Sequence, residues 1–239
     1  MNAKDLLIAL FVPLSWGLGF VAAKSGLDHF PPLLIMSLRF FISSFLLVWF
    51  FPIPKGFLIK IFYIAFVSAS LQYGLTFSGL NILDTSTASL LIQTEVIFGI
   101  LTAAIFLKEM PTKKQIVGIL IACIGTIMLL GTPSIEGKTF GAILVLSGAF
   151  CWALGQVMVR SLNGKVNGFT LICWIGIFSS PQMLIMSFFI DGNPIPFILS
   201  ASFINWFTVF YLGVIMTVLG YGAWFYILSK HPMPVAMPF

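Results

Sequence analysis

The chain has 239 residues with a formal net charge of +5, and 59% of its residues are hydrophobic while only 8% are charged. A soluble domain carries roughly 25% charged residues, so this composition excludes a soluble globular protein, a disordered chain and a disulfide scaffold. The 12 Lys and Arg residues form no basic stripe with interleaved aromatic residues, so a nucleic-acid partner is also rejected. A polytopic membrane protein remains, with the lipid bilayer as its surroundings.

Eight stretches of the chain are long and apolar enough to be membrane-spanning helices, which need about 20 mostly apolar residues. In chain order they are residues 6–23, 33–51, 57–80, 85–107, 115–131, 140–159, 169–190 and 203–228. The segments between them contain proline, glycine and asparagine turns and are too short to fold alone. We therefore predict an all-α, polytopic membrane helix bundle.

The distribution of Lys and Arg predicts the orientation of these helices. With the N-terminus inside, nine basic residues lie in cytoplasmic segments, and only Lys24 and Lys138 lie in outer segments. Basic residues are enriched in cytoplasmic loops. The sequence therefore predicts a multi-pass protein with a cytoplasmic N-terminus.

Two matches within the chain indicate an internal repeat. The segments SWGLGFVAAKSGL and CWALGQVMVRSLN match at an offset of 136 residues, which aligns Trp16 with Trp152. At an offset of 148, Tyr73 aligns with Tyr221. The first helix thus resembles the sixth, and the third resembles the eighth.

The predicted repeat unit has five helices, and this odd number inverts the second copy in the membrane, as in many secondary transporters. We predict one repeat over residues 1–132 and a second, incomplete one over residues 139–239. The predicted architecture is an inverted 5+5 helix repeat, truncated after the eighth helix.

A family resemblance rests on five segments taken in order. They are SWGLGFVAAKSGL, PPLLIMSLRF, STASLLIQTEVIFGILTAAIFLKE, GAFCWALGQV and GYGAWF. This ordered set resembles the EamA family of the drug/metabolite transporter superfamily, in particular bacterial exporters of cysteine and O-acetylserine. The resemblance implies a ten-helix inner-membrane exporter of small amino-acid-like metabolites, with a small polar metabolite as its partner and no cofactor. It leaves open whether two copies form a homodimer.

Two charged residues lie deep within the predicted spans. Glu95 is about 15 Å along its helix, near the bilayer midplane, and Arg39 is about 9 Å from the outer edge. Charges at such depth are costly and are functional candidates. We predict that Arg39 binds substrate and that Glu95, the only carboxylate in any predicted span, is the proton-coupling acid. A structural Arg39–Glu95 pair is the alternative.

Uncharged polar and aromatic residues at depth complete the predicted substrate site. On a regular fourth helix, Gln93 shares a face with Ser86 and Ser89, while Glu95 is about 200° away. The tryptophans of the two repeats lie mid-helix and could instead fill space in the bundle. The full substrate-binding set is Trp16, Arg39, Gln72, Tyr73, Gln93, Trp152, Gln156 and Tyr221.

Other function classes fit the sequence less well. An embedded enzyme is disfavoured because the two histidines, His29 and His231, lie in loops and no catalytic motif or metal-ligand set can be assembled. A non-transporting scaffold or a subunit of an ATP-driven system is disfavoured by the predicted inverted repeat. A carrier of the same family for another solute or drug stays open as the alternative to amino-acid efflux.

Overall fold

The computed structural model describes residues 1–80, 82–130, 136–162 and 164–238, and all regular elements in this part of the chain are helical. Eight long helices occupy the eight predicted positions, and the short helices Ile195–Leu199 and Met233–Ala236 precede and follow the last of them. The long helices are α1 Ala3–Leu27, α2 Pro32–Leu47, α3 Leu58–Leu80, α4 Ser86–Leu107, α5 Lys113–Leu130, α6 Thr139–Arg160, α7 Gly168–Ile190 and α8 Phe203–Lys230.

Within the described residues, six helices are long and apolar enough to cross a membrane by length and composition, namely α1, α3, α4, α6, α7 and α8. Helix α2 is apolar but shorter, with 16 residues. These lengths and the absence of strands from the described residues confirm the predicted all-α, polytopic membrane bundle.

Helix α2 ends earlier than the hydrophobic run predicts. The run extends to Phe51, whereas the helix ends at Leu47 and a turn follows, closed by a hydrogen bond from Phe50 N to Leu47 O at 3.0 Å. Pro52 contributes to this end, because it has no N–H to bond to the backbone oxygen of Val48, four residues earlier, and it disfavours the helical region for Phe51. Hydropathy alone could not show where the backbone turns.

Helix α1 begins earlier than predicted, at Ala3, because Asn2 caps it. The Asn2 side chain accepts a hydrogen bond from the backbone N–H of Asp5 at 2.7 Å. Asp5 therefore lies within a spanning helix and is buried, and its carboxylate accepts a hydrogen bond from the Tyr226 hydroxyl at 3.2 Å. The expectation that Glu95 is the only carboxylate in a span is wrong.

Helix α4 is capped at its start and interrupted near its middle. The Asp84 carboxylate accepts hydrogen bonds from Thr87, the backbone one at 3.1 Å, and these bonds lower the pKa of Asp84 from 3.8 to about 2. The helical backbone breaks at Gln93, so Glu95 lies in the first turn of a new helical segment that begins at Thr94.

The described chain divides into two compact units. Unit 1 comprises Met1–Phe66 and Leu162–Lys230, and unit 2 comprises Val67–Ser161 and His231–Pro238. Each unit therefore takes helices from both sides of the predicted repeat boundary. Compact units and sequence repeats are different divisions of a chain, so the repeat assignment stays a prediction.

The core of unit 1 is the contact of α2 with α7. The Ser37 hydroxyl donates to the backbone oxygen of Ser180 at 2.8 Å. At the other end of the contact, the Cys173 thiol lies 3.9 Å from the backbone oxygen of Ser44. Gly176 makes this approach feasible, since a methyl group there would lie 2.9 Å from the backbone oxygen of Phe40.

In unit 2, α6 packs against α3 and α4. Contacts of α6 with α3 pair Gly155 with Ser68 and Gly148 with Thr76, so the residue numbers rise on one helix as they fall on the other. These two helices are therefore antiparallel. Glycine at these α6 positions permits the approach, because no side chain fits between the two backbones.

Charged groups tie together one end of unit 2. Arg160, at the end of α6, donates from Nε to Glu109 Oε1 at 3.0 Å, and its Nη2 lies 3.0 Å from the same oxygen. The other oxygen of Glu109 accepts a hydrogen bond from the backbone N–H of Met233 at 2.6 Å. Glu109 thus holds the start of the short helix Met233–Ala236 next to the ends of α4 and α6.

Candidate functional site

Arg39, the arginine within a predicted span, is buried in unit 1 with 1% of its surface exposed. Its Nε donates a hydrogen bond to Thr217 Oγ1 of α8 at 2.7 Å. Its Nη1 lies 3.5 Å from Met36 Sδ and 3.6 Å from Met216 Sδ. The guanidinium therefore meets one hydroxyl and two thioethers, which are weak acceptors.

Aromatic rings surround the same guanidinium. Its carbon lies 5.0 Å from the centre of the Phe40 ring and 5.8 Å from that of the Tyr221 ring, within the range of cation–π attraction. The Tyr221 ring in turn lies 5.0 Å from Trp16, whose ring is 5.9 Å from Trp224. Helices α1, α2 and α8 thus bring Trp16, Arg39 and Tyr221 into one cluster. The sequence predicted them as site residues but could not show that they meet.

A π-helical turn in α8, Leu212–Tyr221, presents the residues that meet Arg39. Within it, the Thr217 hydroxyl donates to the backbone oxygen of Leu212, five residues earlier, at 2.9 Å. Glycines at the two ends of this turn allow α8 to approach its neighbours: a methyl group at Gly213 would lie 3.1 Å from the backbone oxygen of Arg39. Such turns are frequent at functional sites.

Sequence reasoning missed several members of this cluster. They are Met36, Phe40, Met216, Thr217 and Trp224. One signal was present: Gly213, Thr217 and Tyr221 recur every four residues, the spacing of one helix face. The π-helical turn itself has no signature in the sequence that we can identify.

A second cluster, in unit 2, is polar and uncharged. Gln72 and Gln156 are 6% and 2% exposed, and Gln72 Nε2 donates to Thr76 Oγ1 at 3.2 Å. Trp152 lies one helical turn before Gln156 on α6 and is also buried. Tyr73 is half-buried, and its ring stacks on that of Phe77 at 5.9 Å.

The helix face on α4 that was predicted to carry Ser86, Ser89 and Gln93 is interrupted at Gln93. Gln93 is exposed and lies at the interruption of the helix, where the Thr94 hydroxyl donates to the backbone oxygen of Leu91 at 2.6 Å. Side-chain bonds of this kind compete with the regular helix. The angle of about 200° between Gln93 and Glu95 was derived for a regular helix, so the assignment of these two side chains to different faces stays a prediction.

Glu95 is half-buried in unit 2. Among the described residues of its own unit, none donates a hydrogen bond to its carboxylate or forms an ion pair with it. Arg39 belongs to unit 1, so the Arg39–Glu95 pair stays a prediction. Of the predicted site residues, unit 1 holds Trp16, Arg39 and Tyr221, and unit 2 holds Gln72, Tyr73, Gln93, Glu95, Trp152 and Gln156.

Curated relatives match almost the whole chain. A protein of Salmonella typhimurium described as a probable amino-acid metabolite efflux pump is 29% identical over 97% of this chain and 80% of its own length. An Escherichia coli protein with the same description is 28% identical, with the same shares covered. A solved crystal structure has a TM-score of 0.79 at 16% identity, covering 99% of this chain and 83% of that one, which shows a shared fold.

The family comparison covers both predicted halves of the chain. The model of the EamA-like transporter family matches residues 3–131 and again residues 139–239. Together with the spanning helices of the structure, this match makes the protein a multi-pass membrane transporter. The chain belongs to the EamA-like transporter family.

Proposed function

We propose that this protein exports small amino-acid-like metabolites, of the cysteine and O-acetylserine type, across the inner membrane. The descriptions of the two efflux-pump relatives support the substrate class. The observation that carries the proposal is Arg39, a buried arginine within the bundle whose neighbours include a hydroxyl and two thioethers. Every amino-acid-like metabolite of this type offers a carboxylate to such a group.

Arginine suits this role better than lysine does. Its planar guanidinium can hold a carboxylate through two parallel hydrogen bonds, and it stays charged at every physiological pH. A substrate carboxylate that replaces Met216 Sδ next to Nη1 exchanges a weak acceptor for a strong, charged one. During this exchange, the hydrogen bond from Arg39 Nε to Thr217 Oγ1 keeps the plane of the guanidinium fixed.

In the present conformation the guanidinium is closed to solvent. A substrate reaches it after the Met216 side chain and the Tyr221 ring move aside. Both residues belong to the π-helical turn of α8, where the backbone hydrogen bonds are irregular. We therefore assign the opening of this cluster to α8.

The inverted repeat is part of the same proposal, and two contacts between α2 and α7 support it. Ser37 bonds to the backbone of Ser180, and Cys173 approaches the backbone of Ser44. Adding the offset of 136 to Ser37 and Ser44 gives Cys173 and Ser180, so each contact is the image of the other. A pair of exchanged contacts is what a pseudo-two-fold axis between two inverted copies produces.

Transport of labelled solutes tests the substrate class. Inverted membrane vesicles containing this protein should accumulate labelled cysteine and O-acetylserine, because their interior corresponds to the outside of the cell. A cationic drug and a sugar serve as unrelated solutes. Accumulation of either of these in place of the amino acids would assign the chain to the alternative, a carrier of another solute.

Glu95 is proposed as the group that carries the coupling proton. Glu95→Gln keeps the size and hydrogen bonding of the side chain but removes its titration. We expect this variant to exchange labelled substrate across the membrane yet lose accumulation driven by a pH gradient. Glu136→Gln, at an exposed position between α5 and α6, is the matched control and should behave like the wild type.

Two outcomes would reject the proton role. Unchanged gradient-driven accumulation by well-expressed Glu95→Gln would assign coupling to another group. A loss of protein yield that is restored by removing Arg39 as well would identify the structural Arg39–Glu95 pair instead.

The N-terminus is proposed to be cytoplasmic. Single cysteines at Lys113 and Asp191, placed in a cysteine-free background, should react with a membrane-impermeant reagent from opposite sides of the membrane. The basic residues of the cytoplasmic segments support this orientation. Labelling of both positions from outside would contradict it.

A further inference from the structure

Unit 2 contains a buried hydrogen-bond acceptor that no described residue satisfies. The Gln72 carboxamide is held by its nitrogen, which donates to Thr76 Oγ1 at 3.2 Å. Its oxygen, Oε1, is buried and accepts no hydrogen bond from any residue that the structure describes. An unsatisfied buried acceptor destabilises a fold, and native proteins retain few of them.

The register of α3 against α6 shows what lies opposite this acceptor. Gly155 meets Ser68, and Gly148 meets Thr76 and the backbone oxygen of Gln72. Gln72 is midway between the two contact residues of α3, just as Trp152 is midway between the two glycines of α6. The antiparallel register therefore places Gln72 at the level of Trp152, which is buried.

The groups that flank Gln72 on α3 and α6 are uncharged. Thr76 supplies a hydroxyl, Trp152 an indole ring and, one helical turn from Trp152, Gln156 a second carboxamide. Glu95 comes from another helix: Phe98 contacts Phe150 at 5.7 Å and α4 runs parallel to α6, which places Glu95 near the level of Gly148 and Thr76. Its carboxylate makes no hydrogen bond with the Gln72 carboxamide among the residues that the structure describes.

We propose that Gln72 Oε1 is a binding site for a neutral hydrogen-bond donor of the transported solute, a side-chain hydroxyl, thiol or amide N–H. A neutral donor satisfies Oε1 without bringing a buried charge to a carboxamide that is itself neutral and cannot compensate it, which an ammonium would do at high energetic cost. The site selects among solutes by their side chains. The identity of the solute as amino-acid-like rests on the proposed function.

Binding of two amino acids that differ by one hydroxyl tests this site. The purified protein in lipid nanodiscs is titrated with L-serine and with L-alanine, in wild type, Gln72→Met and Gln182→Met. We expect the wild type to bind serine about tenfold more tightly than alanine, the effect of one buried hydrogen bond. Gln72→Met should bind the two equally, with the wild-type affinity for alanine.

Gln182→Met, on α7 of unit 1, is the matched control for loss of a glutamine amide and should keep the preference for serine. A preference for serine that survives in Gln72→Met would overturn the proposal. It would mean that Oε1 contacts only a trapped water and no part of the solute. A loss of alanine affinity in Gln72→Met would also overturn it, because the acceptor would then bind the ammonium.

A measurement without solute separates this site from the proposed function. Gln72→Met also loses the Nε2 bond to Thr76, so its Tm should lie within about 2 °C of that of Thr76→Val, which loses the same bond but keeps Oε1. A Tm clearly below that of Thr76→Val would show that Oε1 is a structural acceptor and would overturn the proposal. If the wild type binds neither amino acid, the proposed substrate class fails, and the Tm result alone decides for or against the acceptor site.

Discussion

Two helix pairs, one in each compact unit, share the same register. In unit 1, a methyl group at Gly19 of α1 would lie 2.5 Å from Met216 Sδ of α8. In unit 2, a methyl group at Gly155 of α6 would overlap Ser68 of α3. The offsets of 136 and 148 found in the sequence convert the first pair into the second. The two pairs therefore place equivalent residues in contact.

The chemistry of the two pairs differs although their register does not. Gly220 on α8 lies against Trp16, where a methyl group would come within 2.9 Å of the indole nitrogen. The equivalent position on α3 is Gln72, at the level of Trp152. In unit 1 a glycine leaves space for the Trp16 ring, which contacts Tyr221 next to Arg39, whereas in unit 2 the equivalent position carries the Gln72 carboxamide. A shared backbone arrangement can carry a cationic site in one unit and a neutral one in the other.

The irregular backbone also recurs in both pairs. Helix α3 has a π-helical turn at Phe66–Leu71, and α8 has one at Leu212–Tyr221. At the offset of 148, the first turn falls inside the second. The longer turn in α8 contains the residues that contact Arg39, whereas the shorter turn in α3 ends one residue before Gln72.

The largest expected effect concerns Arg39, the buried cationic residue of unit 1. Arg39→Met should reduce export per folded protein by about 100-fold, the loss of a charged hydrogen bond to substrate. Arg39→Lys, which keeps the charge but loses the fork, should retain more export. Vesicle transport normalised to protein yield measures both.

Retention of full export by Arg39→Met would contradict the cationic role of unit 1. Equal losses of export in Arg39→Lys and Arg39→Met would show that the substrate requires the two parallel donors of the guanidinium and not its charge alone.

The second difference concerns how each pair tolerates a methyl group. Gly155→Ala should lower the free energy of unfolding by about 1–3 kcal/mol, because the new group meets Ser68 close to its backbone, which cannot move. Gly19→Ala should cost less than about 1 kcal/mol, because the flexible end of Met216 can shift aside. Denaturant titration in mild detergent compares the two variants. A larger loss of stability in Gly19→Ala than in Gly155→Ala would contradict the equivalence of the two contacts.

The smallest expected difference concerns Thr217 and Thr76, the threonines that accept hydrogen bonds from Arg39 and Gln72. Thr217→Val removes an acceptor from the Arg39 guanidinium and should destabilise by about 1.5–3 kcal/mol. Thr76→Val removes an acceptor from the neutral Gln72 amide and should destabilise by about 0.5–1.5 kcal/mol. Thermal unfolding of both variants measures the gap. A serine at either position keeps the hydroxyl and serves as the control.

Much of the fold could be predicted from the sequence. Length and apolar content located every long helix of the described chain to within a few residues, and they excluded a soluble protein. The ordered motifs predicted the EamA family, which the family match confirms. These features are readable because a spanning helix must satisfy its own backbone hydrogen bonds and present apolar side chains along its whole length.

The candidate site could be predicted only as a set of residues. The sequence offered Arg39, Trp16 and Tyr221 because charges and tryptophans at depth are rare. It could not show that they meet, since Arg39 and its partner Thr217 are 178 residues apart. It also treated α4 as unbroken and missed Asp5, because a single cap or side-chain bond decides where a helix starts or breaks.

The sequence by itself thus determined that this protein is a helical membrane bundle, where its helices lie and which family it belongs to. The tertiary structure alone decided that Arg39 meets the π-helical turn of α8, that Gln72 keeps a buried oxygen without a described partner, and that each unit combines helices from both predicted repeats. Apolar periodicity and length are local properties of the chain. Side-chain contacts and helix register depend on how distant segments pack, and glycine positions such as Gly155 and Gly220 set that packing only once both partners are in place.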